Sequence, residues 1–157
     1  MGYYRIAKTF EVEYGHRLCK HPEKCRLPHG HSLRIEVVAR GRQLDDNDMV
    51  CDYKALKTVV AGVVEQLDHA MALNSSDPHL EAFRGIGGER MLVFNDEDPT
   101  TEVLARWIYA NVADRLAAGV SVTSSGGVAY EIPSNLELER VRVWETRSSW
   151  AEYVGVE

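Results

Sequence analysis

Three histidines in the first part of the chain, His16, His29 and His31, have the spacing of a metal site. His29 and His31 are two residues apart, so both imidazoles project from the same face of an extended strand. His16 ends an earlier predicted strand and lies on the same face of it as the apolar side chains. Pairing of the two strands as a hairpin would therefore bring the three rings together. Three neutral nitrogen ligands with an open fourth position are typical of a catalytic zinc ion, which polarises a substrate oxygen. The alternative is that these are only polar residues at strand ends.

Cys25 lies just before the two closely spaced histidines and offers a thiol to the same region. Near a zinc ion such a thiol is a fourth ligand, a general base or an unengaged cysteine. The cationic neighbours Lys24 and Arg26 favour a thiolate. Cys19 offers the same chemistry from the same predicted loop, so spacing alone does not choose between the two cysteines.

Two carboxylates occur where proton transfer or hydrogen bonding would need them. Asp68 precedes His69, and a carboxylate beside an imidazole can orient the ring in a proton relay; the alternative is that Asp68 ends a helix and His69 is exposed. Glu145 ends an apolar strand on its buried face, where a carboxylate needs a partner. A heterocycle with adjacent N–H donors would satisfy it, and the alternative partner is an arginine such as Arg147.

The first half of the chain contains the elements that must position the histidines. Residues 6–16 and 33–39 alternate apolar and polar side chains, which is typical of half-buried strands. Residues 17–28 contain two prolines and several charges and are predicted to form the loop between them. Asp52 is predicted to cap a helix whose apolar residues recur at helical spacing as far as Leu67.

A second helix is predicted in the second half of the chain, after a long loop. Residues 74–98 contain three glycines and one proline and are predicted to be that loop, with at most one helical turn. Asp98 is the predicted N-cap of the helix, with Pro99 at the first helical position and Glu102 in the first turn.

The last third of the chain is predicted to complete an antiparallel sheet. Residues 119–134 are rich in Ser and Gly and are interpreted as a flexible connection or a hairpin. Strands are predicted at 136–145, with a bulge near Arg140, and at 150–156. The order strand, strand, helix, helix, strand, strand favours an α+β fold, in which a four-stranded antiparallel sheet carries two helices on one face. The uncovered face and exposed edges of such a sheet favour a homo-oligomer.

Length and composition restrict the class of protein. The chain has 157 residues, a length typical of a single domain, and a formal net charge of −6. An acidic chain is a poor candidate for binding nucleic acid. No apolar run is long enough for a membrane helix, the first residues lack the apolar core of a signal peptide, and an odd number of cysteines does not fit a secreted disulfide framework. We therefore expect a soluble, cytoplasmic protein of a single domain.

Motifs distributed over the whole chain resemble one known family. In chain order they are His16-Arg17-Leu18, Cys25-Arg26-Leu27-Pro28-His29-Gly30-His31, Asp52-Tyr53-x-x-Leu56-Lys57, Leu67-Asp68-His69, Leu73-Asn74, Pro99-Thr100-Thr101-Glu102 and Glu145-Thr146. Each motif is weak by itself, but together, from about Phe10 to Tyr153, they resemble the 6-pyruvoyl-tetrahydropterin synthase family.

The resemblance implies a tunnelling fold, or T-fold, in which a four-stranded antiparallel sheet carries two helices. It also implies trimers that close a barrel of strands and stack in pairs as a hexamer, with active sites at subunit interfaces. Residues 1–157 would form one such domain, with inserted loops at about 75–97 and 119–134.

The resemblance further implies a role for each candidate residue. The zinc ligands are His16, His29 and His31. The catalytic residues are Cys25 as the thiol, in preference to Cys19, and Asp68 with His69 as the proton relay. The substrate-binding residues are Glu145, which holds the pterin ring through its N–H groups, and Thr146, Thr100 and Thr101.

The three-residue gap between Cys25 and the His-Gly-His motif resembles that of the 6-carboxy-tetrahydropterin synthases of the queuosine pathway, since biopterin-type enzymes typically have a five-residue gap. It implies zinc-dependent conversion of dihydroneopterin triphosphate to 6-carboxy-tetrahydropterin, acetaldehyde and triphosphate. The basic residues predicted to meet the triphosphate are Lys20, Lys24 and Arg26.

Departures from the family pattern keep other functions open. Tyr14 and Gly15 replace the usual small pair before the first histidine, residues 68–74 are one residue longer than usual, and Asp98 replaces an asparagine. The alternatives are a 6-pyruvoyl-tetrahydropterin synthase, a lyase that shortens another pterin side chain, and a non-catalytic pterin-binding module.

Overall fold

The computed structural model describes residues 2–119 and 121–155 as an α+β fold, as predicted. The strands are β1 (Tyr4–His16), β2 (His29–Gly41), β3 (Ala70–Asn74), β4 (Met91–Phe94), β5 (Val122–Thr123), β6 (Ala129–Tyr130), β7 (Glu137–Trp144) and β8 (Trp150–Val154). The helices are α1 (Tyr53–Val64), α2 (Leu80–Gly87) and α3 (Thr101–Ala117). Within the described residues, no helix is long and apolar enough to cross a membrane.

The strands β1 and β2 form a long antiparallel hairpin, as the alternation predicts. Their register pairs Tyr4 with Gly41 at one end and His16 with His29 at the other. The loop that joins them contains a single 3-10 turn, Lys24–Arg26. The hairpin therefore brings the end of β1 and the start of β2 to one end of the sheet.

The hydrophobic core lies between the sheet and the helices α1 and α3. Asp52 caps α1 as predicted, because its carboxylate accepts a hydrogen bond of 2.7 Å from the backbone N–H of Lys54. The buried side chains of α1 and α3 pack against alternate residues of β2 and β7, and the members of this cluster include Ile35, Val37, Leu56, Val60, Leu104, Ile108, Val141 and Val143. Each such side chain contributes about 1.5–3 kcal/mol on full burial.

The sheet has six strands rather than the four predicted, in the order β4-β3-β1-β2-β7-β8. The two additional strands, β3 and β4, run parallel to β1, so the sheet is mixed. The prediction of a loop over 74–98 was wrong, because this segment contains both β4 and the third helix, α2. β3 was missed because it is buried almost throughout and has no polar alternation, and β4 because an apolar run of four residues has no period.

The helix α3 begins two residues later than predicted. Thr100 is the N-cap, and its hydroxyl accepts a hydrogen bond from the N–H of Val103. Asp98 does not cap the helix because its carboxylate is engaged by the backbone N–H of Lys20 and by the side chain of Asn74. The carboxylate thus ties the loop between β1 and β2 to the end of β3.

The remaining strands agree with the predictions in the part that the structure describes. β7 contains the predicted bulge, since the register against β2 shifts between Val38, opposite Arg140, and Ala39, opposite Leu138. Within 119–134, β5 and β6 pair as a short separate hairpin. β8 ends at Val154, and residue 156 of its predicted range lies outside the described residues.

Candidate active site

The three predicted metal ligands converge at the end of the β1–β2 hairpin. One nitrogen from each of His16, His29 and His31 lies within 4.8 Å of the others. This follows from the register: His16 is directly opposite His29, and His31 is opposite Tyr14, on the same face of the neighbouring strand. We refer to His16, His29 and His31 as the histidine cluster.

Hydrogen bonds define which nitrogen of two cluster residues is free to bind a metal. Nδ1 of His16 lies 2.8 Å from the carbonyl of Pro99, and Nδ1 of His29 lies 2.6 Å from the carbonyl of Leu27. A carbonyl oxygen only accepts, so each Nδ1 must carry the proton and each Nε2 presents a lone pair. The two Nε2 atoms are 3.0 Å apart, and this arrangement calls for a cation between them. The residues therefore fit a metal ion with nitrogen ligands, such as zinc.

Two members of the cluster, His16 and His31, are held in the neutral form that a metal requires. His16 is almost fully buried, and burial is the main cause of the lowered pKa of both His16 and His31. The neighbouring ring of His29 acts in the same direction on both. Nε2 of His31 is buried and has no hydrogen-bond partner among the described residues. A neutral ring with an unpartnered nitrogen is a ready metal ligand.

Glu145 lies beside the cluster, just after the end of β7. Its Oε1 is 3.4 Å from Nε2 of His31 and 3.6 Å from Nε2 of His16. The backbone N–H of Glu145 donates to the carbonyl of Ser149, which fixes the turn between β7 and β8. The alternative partner considered from the sequence, Arg147, forms no ion pair with Glu145 within the described ranges. The carboxylate is thus available both to the cluster and to a ligand beside it.

Tyr14 is a buried polar residue next to the cluster. Its ring centroid is 5.3 Å from that of His16, and its hydroxyl has no hydrogen-bond partner in the part of the chain that the structure describes. Burial, together with the negative charge of Glu145, raises the pKa of Tyr14, so the phenol stays protonated. The bulky side chain that departs from the family pattern therefore packs against His16, and Tyr14 also lines a cavity with His29 and His31.

Asp68 and His69 form the predicted carboxylate–imidazole pair. Nδ1 of His69 lies 3.0 Å from Oδ2 of Asp68. Both residues are attached to β1 through Glu13, whose N–H donates to Oδ1 of Asp68 and whose carbonyl accepts the N–H of His69. The bond from Glu13 and then that from His69 lower the pKa of Asp68, so it stays a carboxylate. His69 has a φ of 56°, in the left-handed region that residues other than glycine rarely adopt.

A cavity of about 530 Å³ connects the histidine cluster with this pair. His29, His31 and His69 all line it. The ring of His69 is exposed over 74% of its side chain, so it is accessible to a molecule in the cavity. His69 therefore lines one cavity together with two members of the histidine cluster, His29 and His31, and the proton relay stays a prediction.

The two loop cysteines have different environments. Cys19 donates from its thiol to Oδ1 of Asp98 at 3.1 Å, and burial together with this carboxylate raises the pKa of Cys19 to about 11. Cys25 is a free, partly exposed thiol on the 3-10 turn, and its carbonyl accepts the N–H of Leu18. Neither thiol belongs to a metal-binding group among the described residues. Cys19 is engaged as a hydrogen-bond donor, and Cys25 is not in a disulfide.

Sequence reasoning missed two residues that support the cluster. The carbonyl of Pro99 orients the ring of His16, although the two residues are 83 positions apart. Asp98 receives hydrogen bonds from Asn74, Lys20 and Cys19, which outweigh the effect of burial and lower its pKa. No local pattern marks such contacts, because each joins segments that are distant in the chain.

Comparison with known proteins assigns the chain to a family. The family model described as 6-pyruvoyl tetrahydropterin synthase matches residues 5–156. The chain belongs to this family. A 6-carboxy-5,6,7,8-tetrahydropterin synthase from Aquifex aeolicus is 30% identical over 96% of this chain and 97% of its own length. A probable 6-carboxy-5,6,7,8-tetrahydropterin synthase from Halobacterium salinarum is 36% identical over 74% of this chain and 75% of its own.

Solved structures share the fold of this family member. An uncharacterized protein from Wolinella succinogenes has a TM-score of 0.76 at 22% identity, covering 99% of this chain and 100% of its own. The 6-pyruvoyl tetrahydropterin synthase from Caenorhabditis elegans has a TM-score of 0.63 at 20% identity, covering 99% and 98%. The expected T-fold is confirmed in this single chain, with the mixed sheet and third helix described above.

The threonines assigned to the family's pterin pocket are not part of the cavity at the cluster. Thr100 caps α3 and lines a separate, mainly apolar cavity of about 400 Å³ with Leu18 and Val103. Thr101 is the first residue of α3. Thr146 is exposed in the turn after β7, where its hydroxyl accepts the N–H of Ser148. The role of Thr100, Thr101 and Thr146 in binding the pterin stays a prediction.

Proposed function

We propose that this chain is a zinc-dependent 6-carboxy-tetrahydropterin synthase. The observation that carries the proposal is the histidine cluster, which shares a cavity with His69 in a chain 30% identical to a relative named for that activity. The reaction consumes dihydroneopterin triphosphate and one water and produces 6-carboxy-tetrahydropterin, acetaldehyde and triphosphate. The three-residue gap between Cys25 and the His-Gly-His motif also supports this activity over the pyruvoyl type.

The residues of the chain have the following roles in the proposed mechanism. His16, His29 and His31 would hold a zinc ion, which would supply Lewis acidity towards the side-chain hydroxyls of the substrate. Cys25, as the thiolate, removes a carbon-bound proton from the side chain, and His69 donates a proton on the opposite side. Asp68 holds the ring of His69 through Nδ1, which leaves Nε2 of His69 to carry out the proton transfer. General acid–base groups of this kind contribute about 10²–10⁴-fold each to the rate.

Glu145 binds the pterin ring in this mechanism. A carboxylate that accepts two adjacent N–H groups orients a heterocycle and forms strong, charge-assisted hydrogen bonds. Its position beside His16 and His31 supports this role, because the ring and the reacting side chain must lie close together. Thr146, Thr100 and Thr101 contribute further contacts. Lys20, Lys24 and Arg26 remain the candidates for meeting the triphosphate.

The proposed functional unit is a hexamer made of two trimers, in the cytoplasm. β4 and β8 are the edges of the sheet and carry exposed apolar side chains: Val93 is 40% exposed, Trp150 51% and Val154 53%. Exposed edges of this kind favour pairing with another chain.

The product of the zinc-loaded protein with dihydroneopterin triphosphate tests the proposal. Mass spectrometry should detect 6-carboxy-tetrahydropterin, with equimolar acetaldehyde. A pyruvoyl product or a shortened dihydropterin would support instead the alternative favoured by Tyr14, a different pterin side-chain lyase. Tight binding without turnover would indicate a pterin-binding module. Cys25→Ala should lower kcat by about 10²-fold or more without loss of zinc, and Cys51→Ala, a thiol outside the site, should not.

A further inference from the structure

A third cavity, of about 660 Å³, lies between α1, the last turns of α3 and the β5–β6 hairpin. We call it the α1–α3 pocket. None of its lining residues lines the cavity at the histidine cluster. Its volume is in the range of pockets that bind small molecules, about 300–1,000 Å³. The proposed reaction does not use it.

Arg115 enters this pocket because residue 62 is a glycine. A Cβ on Gly62 would lie 2.6 Å from Nη2 of Arg115 and 2.7 Å from its Nη1 and Cζ, so the guanidinium lies flat against the backbone of α1. Nε of Arg115 is buried and has no hydrogen-bond partner in the described ranges. Glycine inside a helix costs about 1 kcal/mol of helix stability relative to alanine. At residue 62 the glycine leaves room for the guanidinium of Arg115 at this cost in helix stability.

Two lysines of α1 complete a cationic wall. Lys54 and Lys57 line the same pocket as Arg115, and none of the three forms an ion pair within residues 2–119 and 121–155. The only acidic residue of the described lining is Glu65, so the pocket carries an excess of positive charge. The chain as a whole has a formal net charge of −6, so the positive charge of the pocket is confined to this part of the surface.

The other lining groups suit the remaining parts of a phosphorylated ligand. Thr123 and Ser125 present hydroxyl groups beside the cations, and Tyr130 presents an aromatic ring. Hydroxyls donate to phosphate oxygens, guanidinium groups bind them in a bidentate manner, and an aromatic ring packs against a planar base.

We infer that the α1–α3 pocket binds a phosphorylated small molecule of nucleotide size. Its phosphates contact Arg115 and Lys57, and its ring packs against Tyr130. This inference is independent of the proposed function, because the two cavities share no residue.

Calorimetric titration of the metal-free full chain with inorganic pyrophosphate and with ADP, at pH 8, tests the inference. Both should bind saturably, with ADP tighter because it also occupies the aromatic side of the pocket. Arg115→Gln should weaken both by about tenfold or more, since charged hydrogen bonds contribute about 1.5–3 kcal/mol. Arg42→Gln removes an equal charge from an exposed loop outside the pocket and should leave both affinities unchanged.

Gly62→Ala separates a built site from general attraction to positive charge. It removes no charge but displaces the guanidinium, so it should weaken binding as Arg115→Gln does. Glu65→Gln should strengthen binding, because it removes the one opposing carboxylate. Absence of saturable binding, or equal binding by the wild type and Gly62→Ala, would overturn the inference. Equal affinity for ADP and pyrophosphate would overturn the inference that the ligand is of nucleotide size with its ring packed against Tyr130. Thermal unfolding and product formation, unchanged in each variant, establish that the fold and the other site are intact.

Discussion

His16 and His29 face each other across the β1–β2 hairpin with their Nε2 atoms 3.0 Å apart, while the Nδ1 of each is bound to a backbone carbonyl. Two lone pairs at this distance repel unless a cation lies between them. The carbonyls of Pro99 and Leu27 therefore do more than hold the rings in place, because they select the tautomer that can bind a metal.

Loss of one ligand should abolish metal binding. His31→Ala should reduce zinc content from about one ion per chain to almost none, because two imidazoles do not make a stable zinc site. Elemental analysis after dialysis measures this. The matched control is His21→Ala, since His21 lies in the adjoining loop and its Nδ1 only accepts the N–H of Glu23. Full retention of zinc by His31→Ala would refute the site.

Replacing Glu145 should weaken pterin binding and leave the metal in place. Glu145→Gln keeps the size of the side chain and removes the charge that binds the N–H groups. The affinity for a dihydropterin should fall by about 10–100-fold, the cost of one or two charge-assisted hydrogen bonds. Fluorescence titration gives the affinity and elemental analysis the zinc content. Loss of zinc would show instead that the carboxylate, which lies 3.4 Å from Nε2 of His31, is a metal ligand.

The reactivity of Cys19 should depend on pH in a way that reports on Asp98. Burial and the adjacent carboxylate raise the pKa of Cys19 to about 11, so the thiol is neutral at pH 8 and becomes a thiolate only as the pH approaches that value. Its rate of alkylation, followed by mass spectrometry of the peptide, should rise about tenfold per pH unit over this range.

Asp98→Asn should shift that profile to lower pH, since it removes the negative charge that disfavours the thiolate. Glu97→Gln is the control, because Glu97 pairs with Arg106 and not with the thiol. A profile that Asp98→Asn leaves unmoved would exclude the hydrogen bond from Cys19 to Asp98 as a cause of the raised pKa.

The stability of the fold should depend on the α3 face of the core. Ile108 is fully buried between α3 and the sheet, so Ile108→Ala should lower the free energy of unfolding by about 2–5 kcal/mol through lost burial and the cavity left behind. Ile86 on α2 is 86% exposed, and Ile86→Ala should change it by less than about 0.5 kcal/mol. Urea unfolding measures both. Similar losses for the two variants would contradict this placement of the core.

Local sequence was sufficient for the elements that carry the histidines. Alternation over 6–16 and 33–39 predicts two strands, and parity places the imidazoles on one face. The predicted convergence of His16 with His29 and His31 is confirmed because the two strands pair as a hairpin, and burial of one sheet face fixes which side chains share that face. The adjacent pair Asp68 and His69 needed only neighbours in the chain to meet.

Local sequence was insufficient for elements whose structure depends on contacts with a distant segment of the chain. β3 and β4 have little pattern of their own, because they form only by pairing with β1 and with each other. Asp98 has the residue type and the following proline of an N-cap, but Lys20 and Asn74 compete for its carboxylate and Thr100 caps α3 instead. Such competition depends on tertiary contacts that propensity does not describe.

By itself, the sequence determined the candidate metal ligands, the α+β class and the family, because each depends on residue types at short, regular spacing or on many motifs together. Only the tertiary structure decided the tautomers of His16 and His29, the position of Glu145 beside them and the docking of Arg115 on Gly62. These relationships join atoms from segments far apart in the chain, and their geometry is set when the helices pack on the sheet.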